Sequence, residues 1–509
     1  MVARVKTVAF AGIEARVIDV QVQVSGGLPA FTIVGLPDKA VGESRERIRA
    51  ALHAIGLALP PKRITVNLAP ADMPKEGSHY DLPIALALLT ALGAVAADLV
   101  SRHVVIGELA LDGSLGPVAG TLPAALAALA SDRGLICPLP CGPEAAWAGD
   151  NLEILAPANL IALINHFKGT QLLSRPECGA AVSEAPIADL ADIRGQEQAR
   201  RALEVAAAGA HNLLMIGPPG AGKSMLAERL PSILPPLSSR EMLEVSMVRS
   251  IAGTLENGQI SPRRPFRNPH HSASQAAMIG GGLKVRPGEV SLAHKGVLFL
   301  DELPEFAARV LEALRQPMES GEAVIARANH HVTYPARFQL VAAMNPCHCG
   351  MAGTPGHICA RGAKCEELYR ARLSGPLLDR IDLTIEVPAV SARDLIAPAT
   401  GEASAGVAAR VEQARNIQRR RFEELGRPQV ASNGEAPAPL IESCAEMEAG
   451  ARALLGEAAD RLSLSARSYF KILRIARTLA DLDASPDLRR AHIAEALAYR
   501  RSEPLRKAA

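Results

Sequence analysis

Aromatic side chains are scarce in this chain, where Phe, Tyr and Trp together make up 3% of 509 residues and Trp occurs once. A nucleic-acid surface built from many stacked rings is therefore not expected. A charge excess is also lacking, because 55 Lys and Arg stand against 53 Asp and Glu and the formal net charge is +2. This balance excludes a globally basic nucleic-acid binder but leaves room for a local basic patch.

Long apolar runs are missing as well. The uncharged stretch Leu82–Ala97 contains Pro83 and is shorter than the roughly 20 apolar residues that span a bilayer. We interpret it as a buried core helix. The apolar run near the N-terminus ends before Glu14 and is too short for a secretory signal. We therefore expect a cytoplasmic protein with no membrane partner.

The order of β-type and helical patterns divides the chain. Short β-type runs alternate with Ala/Leu-rich helical stretches at the start, apolar strands followed by helices come next, and the last part has no strand signal. Continuous apolar strands in strand–loop–helix order predict a parallel sheet covered on both faces. The prediction is an α+β domain at 1–168, a linker at 169–188, an α/β core at 189–395, a helix and flexible linker at 396–439, and a helical domain at 440–509.

A phosphate-binding loop is the most specific motif. The pattern G-x-x-x-x-G-K-[ST] is matched by Gly217, Pro218, Pro219, Gly220, Ala221, Gly222, Lys223 and Ser224, between an apolar strand and a helix. Backbone N–H groups of such a loop surround phosphate oxygens, and the helix N-terminus adds positive potential. The pattern predicts that Lys223 reaches the β- and γ-phosphates of ATP and that Ser224 ligates Mg²⁺.

Two further apolar strands end in polar side chains. The run GVLFL at 296–300 is followed by Asp301 and Glu302, and the run VAAM at 341–344 is followed by Asn345. We predict that Asp301 holds Mg²⁺ through water, that Glu302 polarises the attacking water, and that Asn345 lies beside the γ-phosphate. The alternatives are solvated acids at a strand end and an Asn turn before Pro346.

Taken in order, these motifs resemble the AAA+ ATPases, in particular the magnesium-chelatase-like branch and its YifB/ComM group. The matching runs are GPPGAGKS, GVLFLDE, AAMNPC, SGPLLDRIDL and LSARSYFKILRIARTLADL, and the resemblance covers nearly the whole chain. It implies an α/β fold whose AAA+ P-loop core has a parallel sheet. It also implies an α+β Lon-protease-like domain before that core and an all-helical lid domain after it.

The resemblance also implies roles for three polar residues. It makes Asn345 the residue called sensor 1, Arg380 the arginine finger that reaches a neighbouring subunit's γ-phosphate, and Arg467 the sensor 2 residue of the lid. A finger donated in trans requires a ring, and the family resembles known hexamers. The residues alone leave another interpretation open, in which Arg380 and Arg467 form ordinary surface ion pairs.

Basic residues concentrate in one insert of the core, and a second insert adds more. Residues 261–295 carry Arg263, Arg264, Arg267, Lys284, Arg286 and Lys295 against the single acid Glu289. Residues 324–334 are predicted to form a hairpin with Arg327, His330 and His331 near its turn. In this branch, which also resembles the MCM helicases, both inserts look like loops that line the pore of the ring.

We therefore expect DNA, single-stranded or branched, as the partner, with Lys284, Arg286, Arg327 and His330 as candidate contacts. Basic loops of this kind bind the phosphate backbone without sequence preference. ComM-like proteins are implied to be helicases that drive branch migration in natural transformation. A solvated loop and an inter-subunit contact remain the alternatives for the inserts.

Two other functions follow from the same resemblance. One is a chelatase-type motor acting on a protein partner, although no D-x-S-x-S metal motif occurs here. The other is an ATP-dependent protease, since residues 74–83 resemble the Lon segment that carries its serine. That serine falls at His79, with Ser78 one place away, and no lysine follows Gly120 closely, so peptidase activity is not expected.

Four cysteines crowd into nineteen residues and suggest a metal. Cys347, Cys349, Cys359 and Cys365 could supply four thiolates to one Zn²⁺ ion. The last spacing, C-x₅-C, departs from the C-x-C pair common in the family. Four reduced thiols in a loop are the alternative. A structural zinc would brace the loop between Asn345 and Arg380.

Overall fold

Two β-sheets organise the chain. The computed structural model describes residues 2–179, 188–282, 285–327, 330–350, 364–390 and 401–500, and the side chains of Arg327 and His330 are not part of that description. Each sheet is packed on both faces by apolar side chains, which gives two clusters of buried residues per sheet.

The first sheet has seven strands and mixed direction. Their spatial order is Ala30–Val34, Arg63–Ala69, Glu14–Ser25, Val2–Ala11, His103–Val105, Gly134–Ile136 and Ile154–Leu155. The last four strands in this order are parallel to one another. Val2–Ala11 and Glu14–Ser25 form an antiparallel hairpin, whose turn contains Gly12 at φ +67°.

Helices cover this first sheet on both faces. Alternation places Val20 in the core cluster on one face of the sheet, whereas Val8 joins the cluster on the other face. The predicted core helix over 82–97 is observed as Asp81–Ala91, whose residues from Asp81 to Leu89 are buried. The helices of this region are Lys39–Ala54, Asp81–Ala91, Ala97–Ser101, Thr121–Ala130, Gly142–Ala145 and Leu160–Phe167, and a small ladder joins Glu108–Leu109 to Leu115–Gly116.

The second sheet has five parallel strands, as the apolar runs predict. Their order is Phe266–Arg267, Val297–Leu300, Gln339–Met344, Leu213–Ile216 and Leu383–Glu386. Within one strand, Leu213 and Met215 pack in one core cluster while Leu214 and Ile216 pack in the other. Because parallel strands end at the same edge of the sheet, the loops after them meet there.

The remaining elements surround this second sheet. Its helices are Glu197–Gly209, Lys223–Arg229, Ser239–Ala252, Gln275–Ile279, Glu289–Leu292, Ala308–Ala313, Arg315–Ser320, Lys364–Arg370 and Gly375–Leu378. Two antiparallel ladders join Gly280–Gly281 to Arg286–Pro287 and Glu322–Arg327 to His330–Pro335. The C-terminal helices are Ser404–Glu424, Ala438–Ser443, Ala449–Leu462, Ala466–Leu482 and Arg490–Ala498.

The segment 426–439, predicted as a flexible linker, is anchored in the helical region instead. Asn433 is fully buried. Its amide nitrogen donates to Asp481 at 2.8 Å and to Thr478 at 3.1 Å, and its backbone N–H donates to Gln418 at 2.9 Å. Composition without periodicity suggests flexibility, but these buried hydrogen bonds fix the segment against the helix Ala466–Leu482.

The first region contacts the second at several places. The only Trp, Trp147, donates its ring N–H to the carbonyl of Gly258 at 2.6 Å. The buried carboxylate of Glu144 accepts from the hydroxyl of Ser250, and burial raises the pKa of Glu144. Gly12 passes so close to Thr333 that an added Cβ would lie 2.3 Å from its carbonyl oxygen. The first region therefore contacts both the helix Ser239–Ala252 and the Glu322–Pro335 hairpin.

Among the described helices, none combines the length and the apolar character that crossing a membrane requires.

Candidate active site

The phosphate-binding loop joins the strand Leu213–Ile216 to the helix Lys223–Arg229. Gly220 and Gly222 have φ values of +76° and +86°, a region that glycine enters without steric cost. A Cβ on Gly217 would lie 2.0 Å from the carbonyl oxygen of Val387, so this position also requires glycine. The loop has the backbone geometry that lets N–H groups approach phosphate oxygens.

Lys223 and Asn345 are brought together at this loop. The ammonium of Lys223 donates to the carbonyls of Gly217 at 2.7 Å and Pro218 at 3.0 Å, and to Oδ1 of Asn345 at 3.2 Å. Burial lowers the pKa of Lys223, while the nearby carboxylates of Asp301 and Glu302 raise it. All three oxygens that hold the ammonium are uncharged, so a phosphate could replace them with an electrostatic gain.

Ser224 and Asp301 form a second pair beside the loop. The hydroxyl of Ser224 donates to Oδ2 of Asp301 at 2.6 Å, and Oδ1 of the same carboxylate accepts the backbone N–H of Glu302 at 2.9 Å. A hydroxyl next to a carboxylate supplies the hard oxygen ligands that Mg²⁺ takes alongside water and phosphate. The donor set therefore fits a magnesium site.

Glu302 has an unusual backbone for a residue with a side chain, at φ +52°. A left-handed conformation costs about 1–2 kcal/mol outside glycine and is concentrated at functional sites. Its carboxylate is half exposed, and Oε2 lies 3.7 Å from Nδ1 of His271. Sequence reasoning missed His271, although its position just after the edge strand Phe266–Arg267 is a usable signal. The backbone strain therefore falls on the residue that is predicted to polarise the attacking water.

The two predicted arginines lie apart from this constellation. Arg380 forms an ion pair with Glu319 and donates to the carbonyl of Pro376, which matches the alternative of an ordinary ion pair within one chain. Arg467 is exposed at the start of the helix Ala466–Leu482. Within the described residues, no hydrogen bond joins either arginine to the loop 217–224, and their roles remain predictions.

Asn212, which sequence reasoning also missed, ties three strands together at the opposite end of the sheet. Its amide nitrogen donates to the carbonyl of Arg380 at 2.9 Å, its Oδ1 accepts from Leu340 N–H at 2.8 Å, and its backbone N–H donates to Asp382 at 2.9 Å. A polar amide directly before the strand that leads into the phosphate loop is the signal that could have found it.

Three of the predicted zinc ligands come together. The sulfur atoms of Cys347, Cys349 and Cys365 lie within 4.8 Å of one another, and the first two are 3.0 Å apart. Cys359 lies outside the described residues. Clustered cysteines are typical ligands of tetrahedral Zn²⁺, and the described residues supply three of the four that the ion takes. The cluster adjoins the phosphate loop, since a Cβ on Gly350 would lie 2.7 Å from Pro219.

The two basic inserts stand side by side. The hydroxyl of Tyr334, in the hairpin Glu322–Pro335, donates to the carbonyl of Val285 at 3.1 Å. A Cβ on Gly280 would lie 2.8 Å from Ile325 of that hairpin. Arg286 is exposed beside this junction. Lys284 and the side chains of Arg327 and His330 lie outside the described residues.

Several basic side chains of residues 261–295 are paired with carboxylates, so fewer of them are available to bind a polyanion than the composition predicts. Arg267 forms a two-bond ion pair with Glu289 at 2.6 and 2.8 Å, which raises the pKa of Arg267. Arg264 and Lys295 share Glu241, at 3.3 and 3.8 Å. Glu241 lies on the helix Ser239–Ala252, outside residues 261–295, so the count of acidic residues within that segment did not include it.

The N-terminal segment that resembles Lon shows no serine–lysine pair. Ser78 donates its hydroxyl to the carboxylate of Glu108. The ammonium of Lys75 is buried on the carbonyls of Pro70 and Met73. His79 is buried, its Nε2 lies 3.0 Å from the carbonyl of Val8, and burial lowers its pKa to about 4. In this segment the hydroxyl of Ser78 therefore contacts a carboxylate and not the ammonium of Lys75.

Three family models match the chain along nearly its whole length. The model described as "Magnesium chelatase, subunit ChlI" matches residues 189–395, which contain the loop, Asp301, Glu302 and Asn345. "Subunit ChlI of Mg-chelatase" matches residues 20–140, and "Magnesium chelatase, subunit ChlI C-terminal" matches residues 401–500. These matches support ATP and Mg²⁺ as the ligands of the loop and the Ser224–Asp301 pair.

Curated relatives agree with these matches. The chain is 44% identical to YifB of Escherichia coli (strain K12) over 504 residues, which cover 97% of this chain and 96% of that protein. It is 44% identical to competence protein ComM of Haemophilus influenzae over 501 residues, with 97% and 96% covered. The 38 kDa subunit of magnesium chelatase from Rhodobacter capsulatus is 28% identical over 347 residues, covering 63% of this chain and 89% of that protein. The chain therefore belongs to the magnesium-chelatase family of AAA+ ATPases, in the branch that includes YifB and ComM.

Proposed function

We propose that this AAA+ motor assembles into a homohexameric ring that hydrolyses ATP, translocates on DNA and promotes branch migration in natural transformation or recombination. The observation that carries the proposal is the junction of the two inserts, where Tyr334 of the hairpin bonds Val285 beside the exposed Arg286. A motor that tracks a polyanion needs adjacent loops with basic tips.

Hydrolysis would use the groups already assembled around the loop. Bound MgATP supplies the γ-phosphoryl group and the metal charge that polarises it. Lys223 would exchange its carbonyl partners for phosphate oxygens, while Ser224 and Asp301 hold the metal. Glu302 would accept the proton of the attacking water, and Asn345, already within 3.2 Å of Lys223, would orient that water.

The similarity to ComM supports DNA as the substrate in this proposal. ComM of Haemophilus influenzae bears the name of a competence protein and aligns over nearly all of this chain. DNA uptake and recombination present single-stranded and branched DNA, whose backbone basic loops can grip without reading sequence. The near-neutral net charge then confines the contact to the loop tips rather than to the whole surface.

ATPase measurements on a panel of DNA structures at two salt concentrations test the proposal. Forked or four-way DNA should raise turnover at low salt, and the stimulation should fall as salt rises because binding releases counterions. Arg286→Ala should weaken DNA binding and reduce the salt slope by about one counterion. If no DNA structure raises turnover at low salt, the DNA part of the proposal is wrong.

A second candidate is a chelatase-type motor that remodels a protein partner. The description of the matched family models and the similarity to the 38 kDa chelatase subunit favour it. Turnover that is indifferent to DNA but rises with a co-purifying protein partner would support this candidate over the DNA motor.

A further inference from the structure

The lid helix Ala466–Leu482 touches the segment that carries Arg380. Lys471 is buried, and its ammonium donates to the carbonyl of Ile381, the residue after Arg380, at 2.8 Å. A hydrogen bond from a charged donor is stronger than one between neutral groups. The contact is therefore strong enough to hold the backbone beside Arg380 at a fixed distance from the lid.

Asn212 holds the same segment from the opposite side. Its amide donates to the carbonyl of Arg380, and its backbone N–H donates to the carboxylate of Asp382. The backbone N–H of Asp382 returns a bond to the carbonyl of Asn212 at 3.0 Å. Residues 380–382 are thus clamped between the strand that enters the phosphate loop and the lid.

Lys471, which contacts this segment from the lid, lies on the same helix face as Arg467. Arg467 and Lys471 are four positions apart, so they lie one above the other on the helix. Arg467 is the residue that the family resemblance makes the sensor 2 residue of the lid. A movement of the lid would be transmitted by Lys471 to the backbone beside Arg380.

We propose that Lys471 is a positioning residue that couples the lid of one subunit to the arginine finger this subunit offers to its neighbour. The inference rests on the proposed ring, in which Arg380 acts in trans. Lys471 acts by fixing the backbone of residues 380–382 through its bond to the carbonyl of Ile381. A misplacement of about 1 Å in such a group costs about 10²-fold in rate.

The structure supplies a matched control on the same helix. Arg477, six residues further along, is also a buried cation and donates to backbone carbonyls, those of Ser485 and Pro486. It anchors the lid to a segment that does not carry Arg380. Arg477→Met should therefore reproduce any loss of lid stability without the effect on Arg380. Lys471→Arg, which keeps a cationic donor, should restore much of the activity that Lys471→Met loses.

Mixed rings separate an effect on a subunit's own site from an effect on its neighbour. Subunits carrying Lys223→Ala serve as inactive donors of Arg380, and wild-type subunits mixed with them at a fixed ratio report the hydrolysis. Adding Lys471→Met to the donors should lower the kcat of the wild-type neighbours about 10-fold or more, approaching the effect of adding Arg380→Ala. The KM for ATP of the neighbours should change less than about 2-fold, because their own loops are intact.

Each outcome of the mixing experiment decides a different point. Donors with Lys471→Met that leave the neighbours at the level of Lys223→Ala alone overturn the inference, as do Arg477→Met donors that depress them equally. If donors with Arg380→Ala also leave the neighbours unaffected, while the ring mass is unchanged, the finger in trans is wrong and the inference fails with it. Ring mass and the melting temperature are measured for every mixture.

Discussion

The two sheets both bury charged side chains, but they satisfy them differently. In the first sheet region, the buried Asp81 takes two bonds from Arg47, at 2.6 and 3.0 Å, and one from Leu109 N–H at 3.2 Å. At the edge of the second sheet, the ammonium of Lys223 donates to three uncharged oxygens of the described residues. A buried charge with a matched counter-charge is already compensated within the fold, whereas one held by neutral groups is ready to accept a charged ligand.

The largest expected effect is at the second sheet. Glu302→Gln removes the proposed general base, and Lys223→Ala removes the phosphate contact, so each should lower ATP turnover by about 10²–10⁴-fold. Both side chains are surrounded by loops rather than by the hydrophobic cores, and the melting temperature should stay near that of the wild type. Steady-state ATPase measurements together with thermal unfolding test this. Retained turnover in Glu302→Gln would assign the base elsewhere.

The buried pair of Asp81 and Arg47 tests the comparison in the first region. Asp81→Ala removes the carboxylate that takes two bonds from Arg47 and leaves the guanidinium with Glu43, 3.7 Å away, which should lower the free energy of unfolding of the first region by about 3 kcal/mol. Trp147, which bonds Gly258 across the contact between the two regions, reports the loss by fluorescence in a denaturant titration. A variant as stable as the wild type would show that this buried pair does not support the fold.

Buried histidines should make the free energy of unfolding depend on pH in both regions. Burial lowers the pKa of His79 in the first region and of His211 in the second to about 4. The unfolded chain takes up a proton near pH 6.5, so the stability each contributes is full above that pH and is lost as the pH falls toward about 4. His79→Gln should remove about 3 kcal/mol of this acid-dependent change, measured as unfolding free energy between pH 7 and pH 4.

That pH prediction has a clear contradiction. If the slope of the unfolding free energy against pH between 6.5 and 4 is the same in wild type and His79→Gln, the buried neutral state of His79 is not what makes the first region acid-sensitive. The same comparison with His211→Gln tests the second region, where Nε2 of His211 bonds the hydroxyl of Thr478 at 2.8 Å.

The cysteine cluster should give the smallest effect on turnover. Metal analysis of the full chain should find about one Zn²⁺ per chain, and Cys347→Ser should lose it. Because the cluster adjoins Pro219 of the loop rather than the phosphates, turnover should fall several-fold, not to the level of Lys223→Ala. A metal-free wild-type chain with full activity would favour the reduced-thiol alternative.

Local motifs account for what the sequence predicts well. The phosphate loop, the strands that end in Asp301 and Asn345, and the Glu322–Pro335 hairpin depend on neighbouring residues, and the parallel sheet follows from the apolar runs. Family membership and the mixed α/β class agree with those predictions.

Contacts between distant segments account for what the sequence misses. Glu319 is sixty-one positions from Arg380, and Ile381 is ninety positions from Lys471. No local sequence pattern therefore predicts either pair. The anchoring of Asn433 escapes prediction for the same reason, because its partners lie on two other helices. Such contacts are set by the packing of the lid against the second sheet.

Branch migration of a labelled four-way DNA junction by the full chain tests the central claim most directly. With ATP and Mg²⁺ at low salt, the wild-type protein should convert the junction to duplex products, while Glu302→Gln should bind the junction and convert none. Junction conversion without ATP, or a wild-type protein that hydrolyses ATP yet neither binds nor converts the junction, would contradict the account.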